Sequence, residues 1–322
     1  MRDIDYTFAV ARIRSNETKL LGSADIEQLI LASSYEEAVR KLSEFGYDIV
    51  DGDLGKTLNN EMDKAWQLLS ESAPDENELT VLSVRNAYHN LKSALKTRVC
   101  GGKAADAFFL LPSSVDIGLI AEAVNNNDYS ALPAEMTAVA EKAYVYLTDR
   151  ADGQSAEALI DRQSLESFVS LGEKSGCSEL FDACSMITAA ADIKIAYRSA
   201  VTHRSRDFLE LSVAQCPGIS REELINASLA GAQSVTAYAA STKYGELVSL
   251  LGKDAAGFEK KCDDSVMEII KKGKYAAFGF LPLAAYYFAK ETEIRCVRIV
   301  MSAKENNLSP SSIRERVREL YV

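Results

Sequence analysis

The sequence predicts an all-α protein, and three observations support this fold class. Apolar residues recur at intervals of three and four along most of the chain, which is the period of an amphipathic helix. Strand signals are nearly absent, and no Asn-Gly hairpin turn occurs. The 322 residues include only 17 glycines and 6 prolines, too few turn-forming residues for a sandwich or barrel of many short strands.

Four helices are predicted in the first third of the chain. Ser23 is a suitable N-cap for the first of them, and Asp25 lies near the positive end of its dipole. Helical spacing of apolar residues predicts three more helices, over 35–45, 58–72 and 78–99. Gly101-Gly102 follows the last of these and predicts its end, because glycine readily terminates a helix.

Two helices are predicted near the C-terminus. Pro282 suits the first turn of a helix, where no backbone N–H is needed, and that helix is expected to run to Lys304. Ser309 and Pro310 then form an N-cap and first position for a final helix. The apolar residues of this final helix recur at helical spacing: Ile313, Val317 and Leu320.

A pattern of a polar, an aliphatic and a basic residue recurs on three long helical segments. Its copies are Asn90-Leu91-Lys92, Asp192-Ile193-Lys194 and Glu293-Ile294-Arg295, with centres 102 and 101 residues apart. Each copy lies on a helix that becomes basic towards its end, which suits the helix dipole. The pattern predicts three helical repeat units at 1–107, 108–212 and 213–322. No Pro/Gly/Ser linker marks these borders, so we expect the units to pack together.

The charge balance and the cysteines narrow the class of protein. The chain has 36 Lys and Arg against 47 Asp and Glu, a net charge of −11, so no nucleic-acid partner is expected. The six cysteines form no C-x-x-C pair and are predicted to be reduced, mostly buried thiols.

The N-terminus does not resemble a secretory signal. The uncharged stretches at 224–242 and 275–289 are too polar or too short, so no direct membrane span is expected.

Catalytic and metal-binding motifs are missing from the sequence. It has only two histidines, His89 and His203, and no H-E-x-x-H, Walker-type or G-x-S-x-G motif. Asp263-Asp264 is the only Asp-Asp, and no further carboxylate follows to complete a metal–diphosphate cluster. We therefore interpret this pair as a solvated helix position. The sequence predicts no catalytic residue, no metal and no cofactor.

Both ends of the chain resemble a known family. Residues 289–298 read A-K-E-T-E-I-R-C-V-R, residues 304–316 read K-E-N-N-L-S-P-S-S-I-R-E-R, and residues 6–14 read Y-T-F-A-V-A-R-I-R. This resembles the AC39 family, which comprises the C subunits of V-type and A-type ATPases. Two positions depart from the family pattern: Cys296 stands where Asn is usual, and Asn307 replaces the usual Gly before Leu308.

The resemblance implies a shape, a function and partners. The shape is a funnel of three similar helical domains in a pseudo-threefold arrangement. The function is that of a non-catalytic central-stalk subunit of a rotary ATPase, which joins the rotor shaft to the membrane rotor ring on the cytoplasmic face of the membrane. The resemblance therefore implies stalk rotor subunits and ring subunits as partners. The complex would couple ATP to H⁺ or Na⁺ transport, and the ion sites would belong to other subunits.

Basic residues near the helix ends are the candidates for the stalk or ring interface. The set is Lys92, Lys194, Arg198, Arg295, Arg298, Arg314 and Arg316. The alternative interpretation is that they are solvated or paired within the chain. Glu291 lies four residues before Arg295 in the favourable order, so a local pair is expected there.

Two other interpretations of the sequence stay open. An all-helical enzyme would need a deep pocket with converging carboxylates or cations, and the sequence does not indicate one. A helical scaffold that binds other soluble proteins would have no catalytic cluster either. The aromatic run Tyr286-Tyr287-Phe288 is interpreted as core, with an exposed aromatic anchor as the alternative.

Overall fold

A computed structural model describes residues 3–322. In this range the chain forms fifteen α-helices, five short 3₁₀ helices and no strand, so the predicted all-α class is confirmed. The chain folds into two compact units. The first contains Met1–Leu79, Cys177–Ala183 and Asp254–Val322, and the second contains Thr80–Gly176 and Cys184–Lys253. The division into three repeat units stays a prediction.

Seven α-helices and the start of an eighth belong to the first unit. They are α1 (Thr7–Glu17), α2 (Ser23–Leu31), α3 (Tyr35–Glu44), α4 (Leu54–Ser72), α13 (Ala255–Ile270), α14 (Leu281–Glu305), α15 (Pro310–Arg314) and the first residues of α9 (Ser178–Val201). The long helix α14 is the centre of this unit and packs against α1, α2, α3, α4, α13 and α15. Its buried face includes Tyr286, Tyr287 and Phe288, which confirms their core role.

The second unit contains the rest of α9 and seven further helices. These are α5 (Thr80–Val99), α6 (Ile117–Asn126), α7 (Ala134–Thr148), α8 (Gly153–Lys174), α10 (Arg206–Ser212), α11 (Arg221–Ala230) and α12 (Ala232–Ala240). Here α5 packs on α6, α7 and α8, while α10 packs on α8 and α11, and α11 on α12. None of the helices of residues 3–322 has both the length and the apolar composition needed to cross a bilayer.

The short connections follow the turn chemistry of the sequence. α5 ends at Val99 and Gly101 adopts a left-handed conformation with φ of 88°, as its sequence predicts. Asn307 has φ of 55° at the end of α14, so this Asn adopts the backbone conformation that a glycine would favour. The final helix begins at Ser309 and Pro310 as predicted.

The structure corrects two predicted helix boundaries. The N-cap of α2 is Gly22 and not Ser23, because the Asp25 carboxylate accepts a hydrogen bond from the Gly22 N–H at 2.9 Å. The final helix ends at Arg314 instead of continuing to Leu320. There the Asp264 carboxylate accepts the Glu319 N–H at 2.7 Å, and Lys260 donates to the Val317 carbonyl at 2.6 Å. These contacts to α13 replace the hydrogen bonds of a longer helix.

The free cysteines agree with their predicted state. Cys184, Cys216, Cys262 and Cys296 are buried free thiols, Cys177 is half-buried and Cys100 is exposed. Burial raises the pKa of Cys296 to about 11, and its Sγ lies 3.7 Å from the Arg318 carbonyl, to which it donates. The thiol at this position, where the resembled family usually has Asn, therefore still serves as a hydrogen-bond donor to the backbone.

The polar residue of each recurring pattern performs the same structural task. Asn90, Asp192 and Glu293 have 0% exposure, and each side chain accepts a hydrogen bond from a backbone N–H distant in sequence. The donors are Leu110, Ala214 and Leu21, at 2.7, 2.9 and 2.8 Å respectively. A buried N–H that lies outside a helix needs such a partner. The three polar side chains thus anchor three segments to three long helices.

Only one of the two carboxylate oxygens of Asp192 has a hydrogen-bond partner among residues 3–322. Its Oδ1 accepts the Ala214 N–H, whereas its Oδ2 is buried and has no hydrogen-bond partner within residues 3–322. Burial raises the pKa of Asp192 to about 8, and the negative charge of Glu166 adds to this effect, while the Ala214 N–H and Arg221 oppose it. The carboxyl is therefore protonated at neutral pH.

We expect Asp192→Asn to remove a pH dependence of stability. The folded chain retains a proton on Asp192 between about pH 4 and about pH 8, whereas the unfolded chain releases it. The free energy of unfolding therefore falls as pH rises through this window, by up to about 1.4 kcal/mol per pH unit from this one group. Asn can satisfy such a site, since Asn90 both accepts from Leu110 N–H and donates to its carbonyl at 2.9 Å.

Urea unfolding from about pH 5 to about pH 9 measures this effect. Above about pH 8, Asp192→Asn should be more stable than the unmodified chain by at least about 1.4 kcal/mol, the value of one pKa unit. Asp182→Asn is the matched control, because Asp182 is an exposed carboxylate on the same helix. Parallel curves for the unmodified chain and Asp192→Asn would contradict the expectation.

Candidate functional site

The structure brings together only part of the predicted basic set. Arg295, Arg298 and Arg316 line one cleft of the first unit, and Arg318 joins them there. Lys92, Lys194 and Arg198 belong to the second unit. Arg314 lies on α15 and forms an ion pair with Glu27 of α2, whose pKa is lowered by this contact.

The cleft of about 810 Å³ is bounded by α13, α14 and the C-terminal segment, and we call it the basic cleft. Its residues are Ala256, Glu259, Arg295, Arg298, Ile299, Ser302, Ala303, Asn306, Leu308, Arg316 and Arg318. Four arginines against one carboxylate make its lining basic, although the whole chain carries a net charge of −11. The cleft therefore suits a negatively charged partner group.

One carboxylate holds two of these arginines in place. Asp263 on α13 accepts from Arg295 at 2.7 Å through Oδ1 and from Arg318 at 2.9 Å through Oδ2. Glu291 lies 3.9 Å from Arg295, so the predicted local pair exists but is longer than the contact to Asp263. Arg318 also donates to the Arg316 carbonyl at 2.5 Å. Both guanidinium groups are thereby fixed, which pre-organises one side of the basic cleft.

The other two arginines of the basic cleft are available for a partner. Arg298 and Arg316 are exposed, and neither guanidinium has a hydrogen bond or ion pair with any group in the described part of the chain. Ile299 and Leu308 supply apolar surface beside them. A planar guanidinium can bind a carboxylate through two parallel hydrogen bonds. The geometry thus combines two available cations with apolar contact area.

Two of the three remaining predicted cations, Lys92 and Lys194, interact with groups of the chain itself. Lys92 on α5 pairs with Asp161 of α8 at 2.6 Å. Lys194 is half-buried and also interacts with other groups of the chain, whereas Arg198 is exposed. Of the seven predicted interface cations, Lys92, Arg295 and Arg314 therefore form ion pairs within the chain.

The prediction for Asp263-Asp264 was correct in placing the pair on a helix and wrong in describing the two carboxylates as solvated. These residues lie inside α13, and both are paired: Asp263 with two arginines, and Asp264 with Lys260 at 2.9 Å. They are therefore structural acceptors and not solvated. Arg295 and Arg318, the partners of Asp263, are more than thirty residues away from it, so no local pattern indicated those two contacts. The pair of Lys260 and Asp264, by contrast, has the i,i+4 spacing of a local helical pair. The sequence offered one signal for the two arginine contacts: the C-terminus is basic although the chain is acidic. This signal could have pointed to carboxylate partners for its arginines elsewhere in the chain.

A second cavity of about 470 Å³ in the first unit contains buried charges. Lys290 of α14 lies 2.7 Å from Glu293 and 3.6 Å from Glu61, and its Nζ is 5.2 Å from the centre of the Tyr47 ring. Tyr47 donates to Glu293 at 2.6 Å. Burial and the neighbouring carboxylates raise the pKa of Tyr47 and bring that of Tyr286 to about 12. This set is internally satisfied, so its role is structural.

A comparison with models of protein families shows which family the chain resembles along its length. The model of the ATP synthase (C/AC39) subunit family matches residues 9–316. The chain belongs to this family. The match spans both compact units and includes every residue of the basic cleft except Arg318.

Two relatives of this C/AC39 chain cover nearly its whole length. It is 26% identical over 318 residues to the V-type sodium ATPase C subunit of Enterococcus hirae, an alignment that covers 96% of this chain and 97% of the relative. It is 22% identical over 349 residues to the A-type ATP synthase C subunit of Methanocaldococcus jannaschii, covering 96% and 85% respectively. The family resemblance inferred from the sequence is therefore confirmed.

We expect Arg295→Ala and Arg298→Ala to differ in their effect on the stability of this C/AC39 chain. Arg295→Ala removes a direct partner of the half-buried Asp263 carboxylate and should lower the free energy of unfolding by about 1–2 kcal/mol. Arg298→Ala removes an exposed cation that has no partner among residues 3–322, and it should change the free energy of unfolding by less than about 0.5 kcal/mol. Urea unfolding of both variants measures the difference, and equal losses would contradict the roles given to the two arginines.

Proposed function

We propose that this chain is a non-catalytic central-stalk subunit of a rotary V/A-type ATPase. In this role it joins the rotor shaft to the membrane rotor ring and transmits torque between them. Its partners are the stalk rotor subunits and the ring subunits, and it lies as a peripheral subunit on the cytoplasmic face of the membrane. The observation that carries the proposal is the match to the C/AC39 family across residues 9–316.

The relatives bear on the reaction that the complex performs. One is named as a sodium ATPase subunit and the other as an ATP synthase subunit, and both are similar to this chain along nearly its whole length. The proposed role is the same in either direction, because a shaft adaptor transmits torque during ATP-driven H⁺ or Na⁺ transport and during ATP synthesis alike.

The proposed shape is a funnel of three similar helical domains with pseudo-threefold symmetry, at 1–107, 108–212 and 213–322. Support comes from the recurring buried acceptors Asn90, Asp192 and Glu293, which each anchor a backbone N–H to a long helix. A rotor adaptor has to resist twisting. Helices with internal hydrogen bonds and dense side-chain packing suit that requirement.

The proposed partner surface centres on the basic cleft. Arg298 and Arg316 are its contact residues, because their guanidinium groups are exposed and unpaired within the described chain. Arg295 orients the cleft through its pair with Asp263. The other members of the proposed interface are Lys92, Lys194, Arg198 and Arg314.

We expect Arg298→Glu combined with Arg316→Glu to weaken assembly of the ATPase complex. The change replaces two available cations with anions at the proposed contact, so like charges would oppose a carboxylate of the partner. Co-purification of tagged variant chains with stalk and ring subunits from membranes measures the effect. We expect a decrease of about tenfold or more in recovered partner subunits. Circular dichroism checks that helicity is unchanged.

Arg40→Glu is the control, because Arg40 is also an exposed arginine of the first unit and lies on α3, which contributes no residue to the cleft lining. It should leave co-purification unchanged. Full recovery of the partners with the double variant would show that the basic cleft is not the contact. Recovery of no ATPase subunit by the unmodified chain would overturn the proposed function itself.

A further inference from the structure

The connection between α13 and α14 presents aromatic and basic side chains together. It comprises residues 271–280, K-K-G-K-Y-A-A-F-G-F, and contains no acid. Tyr275 is 88% exposed and Phe278 is 52% exposed. Lys272 and Lys274 are exposed within the same ten residues. We call residues 271–280 the aromatic-basic turn.

The backbone of the aromatic-basic turn is held in place by the first unit. The Arg14 guanidinium of α1 donates to the Gly273 carbonyl at 2.6 Å and to the Ala276 carbonyl at 2.7 Å. A side-chain carbon on Gly273 would lie 2.5 Å from Cβ of Ala285, so the turn packs closely on α14 at this point. Tyr275 and Phe278 are thus presented by an ordered backbone, which lowers the entropy that binding would have to remove.

The lysines of the turn give it a local positive charge. Lys271 pairs with Glu319, and Nζ of Lys274 lies 5.1 Å from the centre of the Tyr321 ring. Lys272 has no hydrogen bond or ion pair within residues 3–322, and the exposed Glu268 lies one helical turn before it. The net charge of −11 on the whole chain does not cancel this local charge, because charges more than about 8 Å apart are screened at physiological salt.

We propose that the aromatic-basic turn contacts the surface of an anionic phospholipid membrane. Tyr275 and Phe278 enter the boundary between headgroups and acyl chains, where aromatic rings are favoured. Lys272 and Lys274 lie at headgroup level, where each basic residue adds attraction to anionic lipid. Two exposed rings beside exposed lysines, with no acid in the ten residues, match a lipid surface that offers acyl chains and anionic headgroups side by side. The turn shares no residue with the basic cleft, so this contact is independent of the partner docking proposed for that cleft.

Sedimentation of the full chain with vesicles tests the membrane contact. We expect the chain to bind vesicles of equal parts phosphatidylcholine and phosphatidylglycerol, and to bind pure phosphatidylcholine far less. Lys272→Gln with Lys274→Gln should lower the partition coefficient roughly tenfold or more. Tyr275→Ser with Phe278→Ser should also lower the partition coefficient, because the two rings would no longer enter the boundary between headgroups and acyl chains. Phe108→Ser is the control, since Phe108 is 68% exposed in the second unit, and binding should not change.

A fluorescent variant gives a second readout that does not depend on loss of binding. Phe278→Trp should show a blue-shifted emission with anionic vesicles only, against the constant background of Trp66, the one native tryptophan. Absence of a blue shift, absence of binding to anionic vesicles, or an equal loss with Phe108→Ser would each overturn the proposal. Loss of ATPase subunits on co-purification of Tyr275→Ser with Phe278→Ser, without any vesicle binding by the unmodified chain, would identify the turn as a protein contact instead.

Discussion

The buried carboxylate of Glu293 fixes the position of α14, on which the first unit depends. With no exposed surface, it accepts hydrogen bonds from the Leu21 N–H at 2.8 Å, from Tyr47 at 2.6 Å and from Lys290 at 2.7 Å. A charge removed from water destabilises the fold unless its partners are in place. The register of α14 against the segments before α2 and after α3 is therefore fixed. That register also determines where Arg295 and Arg298, less than two turns further along, reach the surface.

Three different side chains perform one task, which is to accept a hydrogen bond from a backbone N–H distant in sequence. Asn90 is neutral and exchanges two hydrogen bonds with one backbone residue, Leu110. Glu293 forms an ion pair with the buried Lys290. The Oδ2 of Asp192 has no hydrogen-bond partner among residues 3–322, and burial raises the pKa of this carboxyl to about 8. The recurring position is thus constant in its task and variable in its electrostatics, and Asp192 is the member in which the carboxyl gains a proton.

The carboxylates of the first unit pair with some of its arginines and leave others exposed without a partner within the described range. Asp263 binds Arg295 and Arg318 simultaneously, and Glu27 binds Arg314, which leaves Arg298 and Arg316 unpaired among the residues described. An acidic chain thereby acquires a basic cleft. In the aromatic-basic turn, the Arg14 guanidinium binds backbone carbonyls. The side chains of the turn take no part in these contacts.

The sequence by itself determined the features that depend on neighbouring residues. The all-α class, the start of the last helix at Ser309 and Pro310, the stop near Gly101 and the buried aromatic run on α14 all follow from caps, glycine and spacing, which act within a few residues. The family resemblance likewise rested on short motifs at both ends of the chain.

Only the tertiary structure decided the features that depend on distant partners. Asp263 was expected to be a solvated acid and is instead the partner of two arginines, and the last helix stops at Arg314 because α13 captures the backbone that follows. Such contacts join residues tens of positions apart, and no local pattern encodes them. Which arginines remain unpaired, and therefore able to meet a partner, is decided by those long-range contacts.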